Sequence, residues 1–508
     1  MNEEKARRKN RILNIFSLLS AQIIGFAINF FLSPYLAADL NNSAYGFITL
    51  ATNFTSYAAL ISVALNSMAT RFIVIELHKN NTKKADTYFS STLFANLILA
   101  GVFILVSSGL VLNLEKLLNV PKGLLLDVKL LFSLSFLSFV ISTATSIFSV
   151  CYYTTGHLYY QNLCTLESAF LRIAVILVLF AFFPSYVFYI GAAGVIVTLF
   201  LMICNLYYSR KLLPQMRFKR SNVSWNSVKE LLSSGIWNSI NALGTTLSEG
   251  LDLLISNLFI DAYTMTVLAI AKTLPTALNS IMINVGGTFA PETLQDYASG
   301  DREKLENSLF SSMRIMKCIL NVPYACFIGF GLPFFMLWQP LYDSKQLYIL
   351  SLLTLLATTF TTCVSPIYNL FTATNRLRFP SICHVIGGFI STIIVFILLN
   401  VTDLGVFVIA GVSSLIGIIK TLFVILPYAA KLVNISYKKM LMKSLSSAAS
   451  IWTIAIIGIL ISHFNTIDSW GKLFLYGGLY GMAAFVLNLV LSLKKAERQW
   501  LLKKILRR

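Results

Sequence analysis

Charge is what this chain has least of. Asp, Glu, Lys and Arg make up 12% of its residues, against about a quarter in an ordinary soluble domain. So few charges cannot cover a water-facing surface of this size, which argues against a soluble globular enzyme. The four histidines, His78, His157, His384 and His463, stand far apart and read as loop or core residues rather than ligands. The seven cysteines (Cys151, Cys164, Cys204, Cys318, Cys326, Cys363 and Cys383) lie in or near apolar runs without a C-x-x-C pair. Neither a disulfide frame nor a zinc site is supported, and no metal or cofactor is expected. Long polar stretches are missing too. The longest connection, 209–230, is too short to fold as a domain of its own.

What the chain has instead is apolar length, with 56% hydrophobic residues and a mean hydropathy of +0.74. Runs of about 20 apolar residues, each enough to cross a bilayer, predict fourteen spans, beginning near residues 12, 44, 88, 124, 165, 186, 231, 263, 311, 347, 381, 405, 445 and 473. The first, 12–36, is too long for the core of a secretory leader and reads as an uncleaved span. Basic residues gather on alternate connections. One side carries only Lys116, Lys122, Lys129, Lys345 and Lys472, while Arg172, Lys272 and Lys420 lie within spans and the other Lys and Arg fall on the opposite side. Cytoplasmic loops retain Lys and Arg, so both termini are predicted to be cytoplasmic. The net charge of +19 is spread over many loops; it reads as topology and contact with anionic lipid, not nucleic-acid binding.

One stretch is polar where a span should be plain. Residues 231–260 carry Asn238, Asn241, Thr245, Glu249, Asp252 and Ser256 within about 60° of one meridian of a straight helix. An ionised carboxylate at bilayer depth costs about 2.5 kcal/mol or more, so this stripe must face other helices or a water-filled cavity.

An internal repeat sets the expected architecture. Residues 44–70 align without a gap on 262–288, keeping Ala44/Ala262, Tyr45/Tyr263, Thr55/Thr273, Ser62/Ser280, Asn66/Asn284 and Thr70/Thr288. A second block, 146–196 on 365–415, keeps Thr155/Thr374, Cys164/Cys383 and Phe170/Phe389. Six spans separate the copies, so both enter the membrane from the same side. The predicted fold is an all-α polytopic membrane protein: two parallel six-helix repeats and a C-terminal hairpin, with lobes forming a V around a central cavity. Residues 1–212 would form the N-terminal lobe, 213–230 a cytoplasmic linker, 231–430 the C-terminal lobe, and 431–508 the hairpin and a basic tail.

The deep charges are not repeated. Lys272 falls opposite Phe54, Arg172 opposite Ser391, Lys420 opposite Leu201, and Glu249 opposite Phe30 or Phe31. Charges absent from one copy are not needed to build a lobe, so they mark work in the cavity. Arg172, Arg314, Lys317 and Lys420 are placed in the cytoplasmic half, where they would suit an anion, guanidinium forks being the better phosphate ligands. Glu249 and Asp252 are placed in the outer half; an ion pair between Glu249 and Lys272 is the structural alternative. Pro34, Pro275, Pro323, Pro333 and Pro366 each free a backbone carbonyl that a neighbour must satisfy.

The short basic tail, the AYGFITLATNF opening of span 2, the PETLQDYASGDREKLENSLFSSMRIMK loop after span 8 and the TGHLYYQNL/TNRLRFPSI pair after spans 4 and 10 resemble bacterial Wzx-type polysaccharide repeat-unit flippases. These belong to the multidrug/oligosaccharidyl-lipid/polysaccharide exporter superfamily. The resemblance implies translocation of an undecaprenyl-pyrophosphate-linked oligosaccharide from the inner to the outer leaflet of the bacterial cytoplasmic membrane, for capsule or O-antigen type polymers. It implies alternating access coupled to H+ or Na+, and work beside a polysaccharide polymerase and a chain-length regulator. Under it, Arg172, Lys272, Arg314, Lys317, Lys420, Asn238, Asn241 and Thr245 are the candidate cargo residues and Glu249 and Asp252 the candidate ion-coupling residues. A multidrug or cation antiporter of the same superfamily is the alternative, and a membrane glycosyltransferase or polymerase the enzymatic one.

Overall fold

A computed structural model describes residues 44–298, 300–374 and 376–492, and before them 13–14, 17, 20–21, 24–28, 30–32, 34–36 and 40. The described residues are helical, with no strand. They form two compact units. One holds the described residues up to Thr246 together with Leu253–Thr266, and the other holds Leu247–Asp252 together with the described residues from Val267 onward.

The first unit contains α1 (Tyr45–His78), α2 (Thr82–Leu112), α3 (Leu125–Thr145), the short α4 (Val150–Thr154), α5 (Leu158–Phe182), α6 (Phe188–Leu212) and α7 (Trp225–Thr245). The turn from α1 to α2 is closed by Asn80 at φ 58° and by Asn81, whose side-chain oxygen caps α2 through the Lys84 amide at 3.2 Å. Asp127 of α3 accepts the Val187 and Phe188 amides at 2.8 and 2.7 Å, putting a carboxylate at the positive end of α6. Helix α7, which opens the second copy of the sequence repeat, packs on α1 of the first. Gly235 lies so close to Ala64 that an added Cβ would stand 1.8 Å from the Ala64 carbonyl oxygen.

The second unit contains α9 (Ala262–Gly287) from Val267 onward, α10 (Ala290–Ala298), α11 (Arg302–Trp338), α12 (Ser344–Thr361), α13 (Ile367–Ala373), α14 (Arg378–Val401), α15 (Val406–Lys420), α16 (Leu426–Val433), α17 (Tyr437–Phe464) and α18 (Trp470–Ser492). The chain between α7 and α9 carries one further helix, α8 (Asp252–Phe259). Two in-span prolines have identifiable compensation. Pro275 cannot donate to the Ala271 carbonyl, and Ser351 Oγ donates to it at 2.7 Å instead. Pro333 frees the Gly329 carbonyl, which Ser462 Oγ occupies at 2.9 Å. The hairpin α17–α18 is seated on α11. Gly329 and Gly458 meet backbone to backbone, and the buried Asn488 amide bonds the Lys317 and Cys318 carbonyls at 3.1 and 3.2 Å.

The repeat is visible in local geometry as well. Helix α3 passes through a 3-10 turn, Ser146–Ser149, into α4 and then turns into α5. Likewise α12 passes through the 3-10 turn Thr362–Val364 into α13 and then α14.

Among the described residues, 12 helices are long and apolar enough to cross a membrane. Two of the fourteen predicted spans are not among them. The first, 12–36, is described only in part, and its apolar helix Ile24–Leu36 is shorter than a span; the basic segments at both ends lie outside the described residues. The seventh is divided: α7 ends at Thr245, a π-helical turn occupies Thr246–Gly250, Leu251 is a bend, and α8 follows.

Candidate functional site

The π turn changes what the polar stripe can do. An i→i+5 turn carries one residue more than an α turn, which rotates everything after it by roughly 100°. Asp252 therefore leaves the meridian of Asn238, Asn241 and Thr245. Its carboxylate, 6% exposed, meets Lys272 Nζ at 2.7 Å, and its second oxygen accepts from Ser413 Oγ at 3.4 Å. Among the described residues, Asp252 is thus a carboxylate partner of Lys272, about one α turn further along the chain than the Glu249 considered above. The Glu249 side chain lies outside the described residues. A buried carboxylate and ammonium in contact spare each other an isolated charge of several kcal/mol.

This pair lines a cavity of about 220 Å³ within the second unit. Lys420 lines it as well, 3.0 Å from His384 Nδ1 through its Nζ. The remaining wall is rich in hydroxyls: Thr276 and Ser280 from α9, Thr354 and Thr358 from α12, Ser391 and Ser413 from α14 and α15. Ser391 and Ser413 are themselves 3.2 Å apart. Asn279 also faces the cavity, and its side-chain oxygen is buried with no hydrogen-bond partner among the described residues. Two ammonium groups, one carboxylate and a ring of hydroxyl and amide groups make a site for a polar, anionic ligand.

Three of the ten residues singled out in the sequence, Lys272, Lys420 and Asp252, thus meet around one cavity. Of the others, all but Glu249 are described and lie elsewhere. Asn238 belongs to the first unit and donates to Ser67 Oγ at 3.1 Å; Asn241 and Thr245 are exposed, with Thr245 bonded to the Asn241 carbonyl at 3.1 Å. Arg314 and Lys317 are half-buried on α11 and do not line this cavity. Arg172 lies in the first unit as the fifteenth of 25 residues of α5. That is about 21 Å from the Leu158 end, past the middle of a helix that begins seven residues before the span start expected near 165. Its buried Nε has no hydrogen-bond partner among the described residues. The hydroxyls of the cavity were missed in the sequence. Their signal is the i, i+4 spacing of Thr276/Ser280 and Thr354/Thr358, which puts each pair on one helix face.

A family model described as polysaccharide biosynthesis protein matches residues 12–291. The chain is 26% identical over 498 residues to the uncharacterized membrane protein EpsK of Bacillus subtilis (strain 168), covering 97% of each chain. Among solved structures it resembles the lipid II flippase MurJ in an inward closed conformation, with a TM-score of 0.65 at 14% identity over 98% of this chain and 100% of that one. It also resembles an inward-facing multidrug resistance MATE family transporter of the MOP superfamily, with a TM-score of 0.65 at 13% identity over 84% and 99%. At these identities the structural likeness is one of fold.

Proposed function

The chain belongs to the polysaccharide biosynthesis protein family, and on that premise we propose that it is a membrane transporter that carries an undecaprenyl-pyrophosphate-linked oligosaccharide repeat unit across the cytoplasmic membrane, from the inner to the outer leaflet. The observation that supports this reading most is the cavity of the second unit, where Lys272 and Lys420 share a hydroxyl-rich wall. Ammonium groups suit a pyrophosphate, and Ser, Thr and Asn side chains suit sugar hydroxyls. The prenyl tail, too apolar for such a wall, stays in the lipid.

In this proposal Lys420 and Lys272 receive the pyrophosphate. Arg172, Arg314 and Lys317 attract it on its way, and Asn238, Asn241 and Thr245 meet the sugars. Asp252, with Glu249, takes up the coupling ion, H+ or Na+, in an alternating-access cycle. The product feeds a polymerase and a chain-length regulator that build a capsule or O-antigen type polymer. A cation exporter would need an acidic pocket, whereas among the described lining residues the one carboxylate, Asp252, is paired with Lys272.

The test is a mass-spectrometric inventory of undecaprenyl-linked glycans in host cells depleted of the protein. One complete repeat unit is expected to accumulate on its pyrophosphate carrier, with rescue by the native gene and not by a Lys420→Ala copy that reaches the membrane in equal amount. An unchanged inventory would refute the reading.

A further inference from the structure

We propose that the Asp252–Lys272 pair is an anion-operated latch: a phosphate group entering the cavity takes over Lys272 and releases the segment 247–252. The proposal rests on the reading that this cavity receives a pyrophosphate.

Four observations carry it. First, the pair is not part of the repeated framework, since the first copy has Phe54 at the position of Lys272 and Ser33 at that of Asp252. Second, both members face the cavity, so an anion there reaches the ammonium without crossing protein. A phosphate group of higher charge than one carboxylate competes well for that ammonium, and Lys420 in the same wall adds a second cation. Third, Asp252 is otherwise tied only weakly among its described contacts, through Ser413 at 3.4 Å. A carboxylate 6% exposed that loses its cation is strongly destabilised where it stands. Fourth, the backbone beside it is built to shift. The π turn Thr246–Gly250 ends two residues before Asp252, and a second π turn, Thr421–Ile425, begins directly after Lys420. A π turn holds one residue more than an α turn and is frequent at functional sites, and passing that residue into the adjoining helix would move the flanking side chains by one register step.

The device makes the carrier phosphate, rather than the sugars, the trigger. Segment 247–252 belongs to the second unit, while the residues on either side of it, up to Thr246 and from Leu253, belong to the first. Asp252 anchors that segment to α9 and α15. Cargo glycans of different composition would then open the same latch, and a lipid without a phosphate would not.

Hydrogen exchange measured by mass spectrometry on the full chain in nanodiscs tests this directly, with inorganic pyrophosphate as the probe and chloride at matched ionic strength as the control. Amides of 246–260 are expected to exchange about tenfold faster at saturating pyrophosphate. Lys272→Met should exchange at the fast rate from the start and not respond. Lys272→Arg, which keeps an ion pair by a forked contact, should respond only at higher pyrophosphate and guards against misfolding of the methionine variant. Exchange that pyrophosphate leaves unchanged in the native chain, or accelerates equally in Lys272→Met, would overturn the latch. The readout needs no glycan. A latch that fails beside an accumulating repeat unit leaves the flippase reading standing, and a working latch with an unchanged glycan inventory points to another phosphate-bearing lipid.

Discussion

A methyl group added at Gly235 has nowhere to go. Its Cβ would lie 1.8 Å from the Ala64 carbonyl oxygen, 2.7 Å from the carbonyl carbon and 2.9 Å from Cα. All three are backbone atoms, so no side chain can rotate away, and α7 must move off α1 by more than an ångström. That movement breaks the Ser239 Oγ bond to the Leu60 carbonyl at 2.7 Å and the Asn238 bond to Ser67 at 3.1 Å. Overpacking costs about 1–3 kcal/mol, and hydrogen bonds between membrane helices average about 0.6 kcal/mol and reach about 1.7. Gly235→Ala should therefore destabilise the first unit by about 2–5 kcal/mol, and Gly235→Val by more. Reversible unfolding in mixed micelles measures this. Gly101→Ala and Gly109→Ala on α2, where an added Cβ meets nothing within 4 Å, serve as controls and should gain about 0.5–1 kcal/mol from the lower entropy of the unfolded chain. If Gly235→Ala behaves like these controls, the close approach of α7 to α1 is wrong.

Two further predictions concern buried polar groups. Asp252→Ala and Lys272→Ala should each cost about 3–5 kcal/mol, because each strands the other charge, whereas Asp252→Leu with Lys272→Met should recover most of that loss; additive losses in unfolding would contradict the pairing. Ser351→Ala should cost about 0.6–1.7 kcal/mol by exposing the Ala271 carbonyl. The loss should shrink in a Pro275→Ala background, where that carbonyl regains its own helical donor; an equal loss in both backgrounds would refute the compensation.

Much of the fold was legible because apolar length and a register-keeping repeat are properties of sequence alone. The matched pairs Tyr45/Tyr263 and Asn66/Asn284 lie on α1 and α9. The freed carbonyls of Pro275 and Pro333 were anticipated, but their donors, Ser351 and Ser462, lie 76 and 129 positions away and could only be found in space. The course of the seventh span was not legible. Nothing local in TLSEG distinguishes a π turn from an α turn, and the one-residue shift it introduces takes Asp252 off the stripe to where it meets Lys272. Nor was the start of α5 legible: the polar aromatic run LYYQN, which opens it, does not look like the start of a helix expected near 165. The lysines of the cavity stood out as unrepeated charges, while its hydroxyls, common in membrane helices, did not.

The central claim is that a lipid-linked glycan crosses the bilayer through this chain. Its most direct test reconstitutes the purified protein into vesicles carrying undecaprenyl-pyrophosphate-linked oligosaccharide in one leaflet, with exposure in the other followed by a membrane-impermeant reagent that oxidises sugars. The account predicts that the native chain accelerates exposure over protein-free vesicles and that Lys420→Ala does not. Exposure no faster than in protein-free vesicles, across imposed H+ and Na+ gradients of either direction, would contradict it.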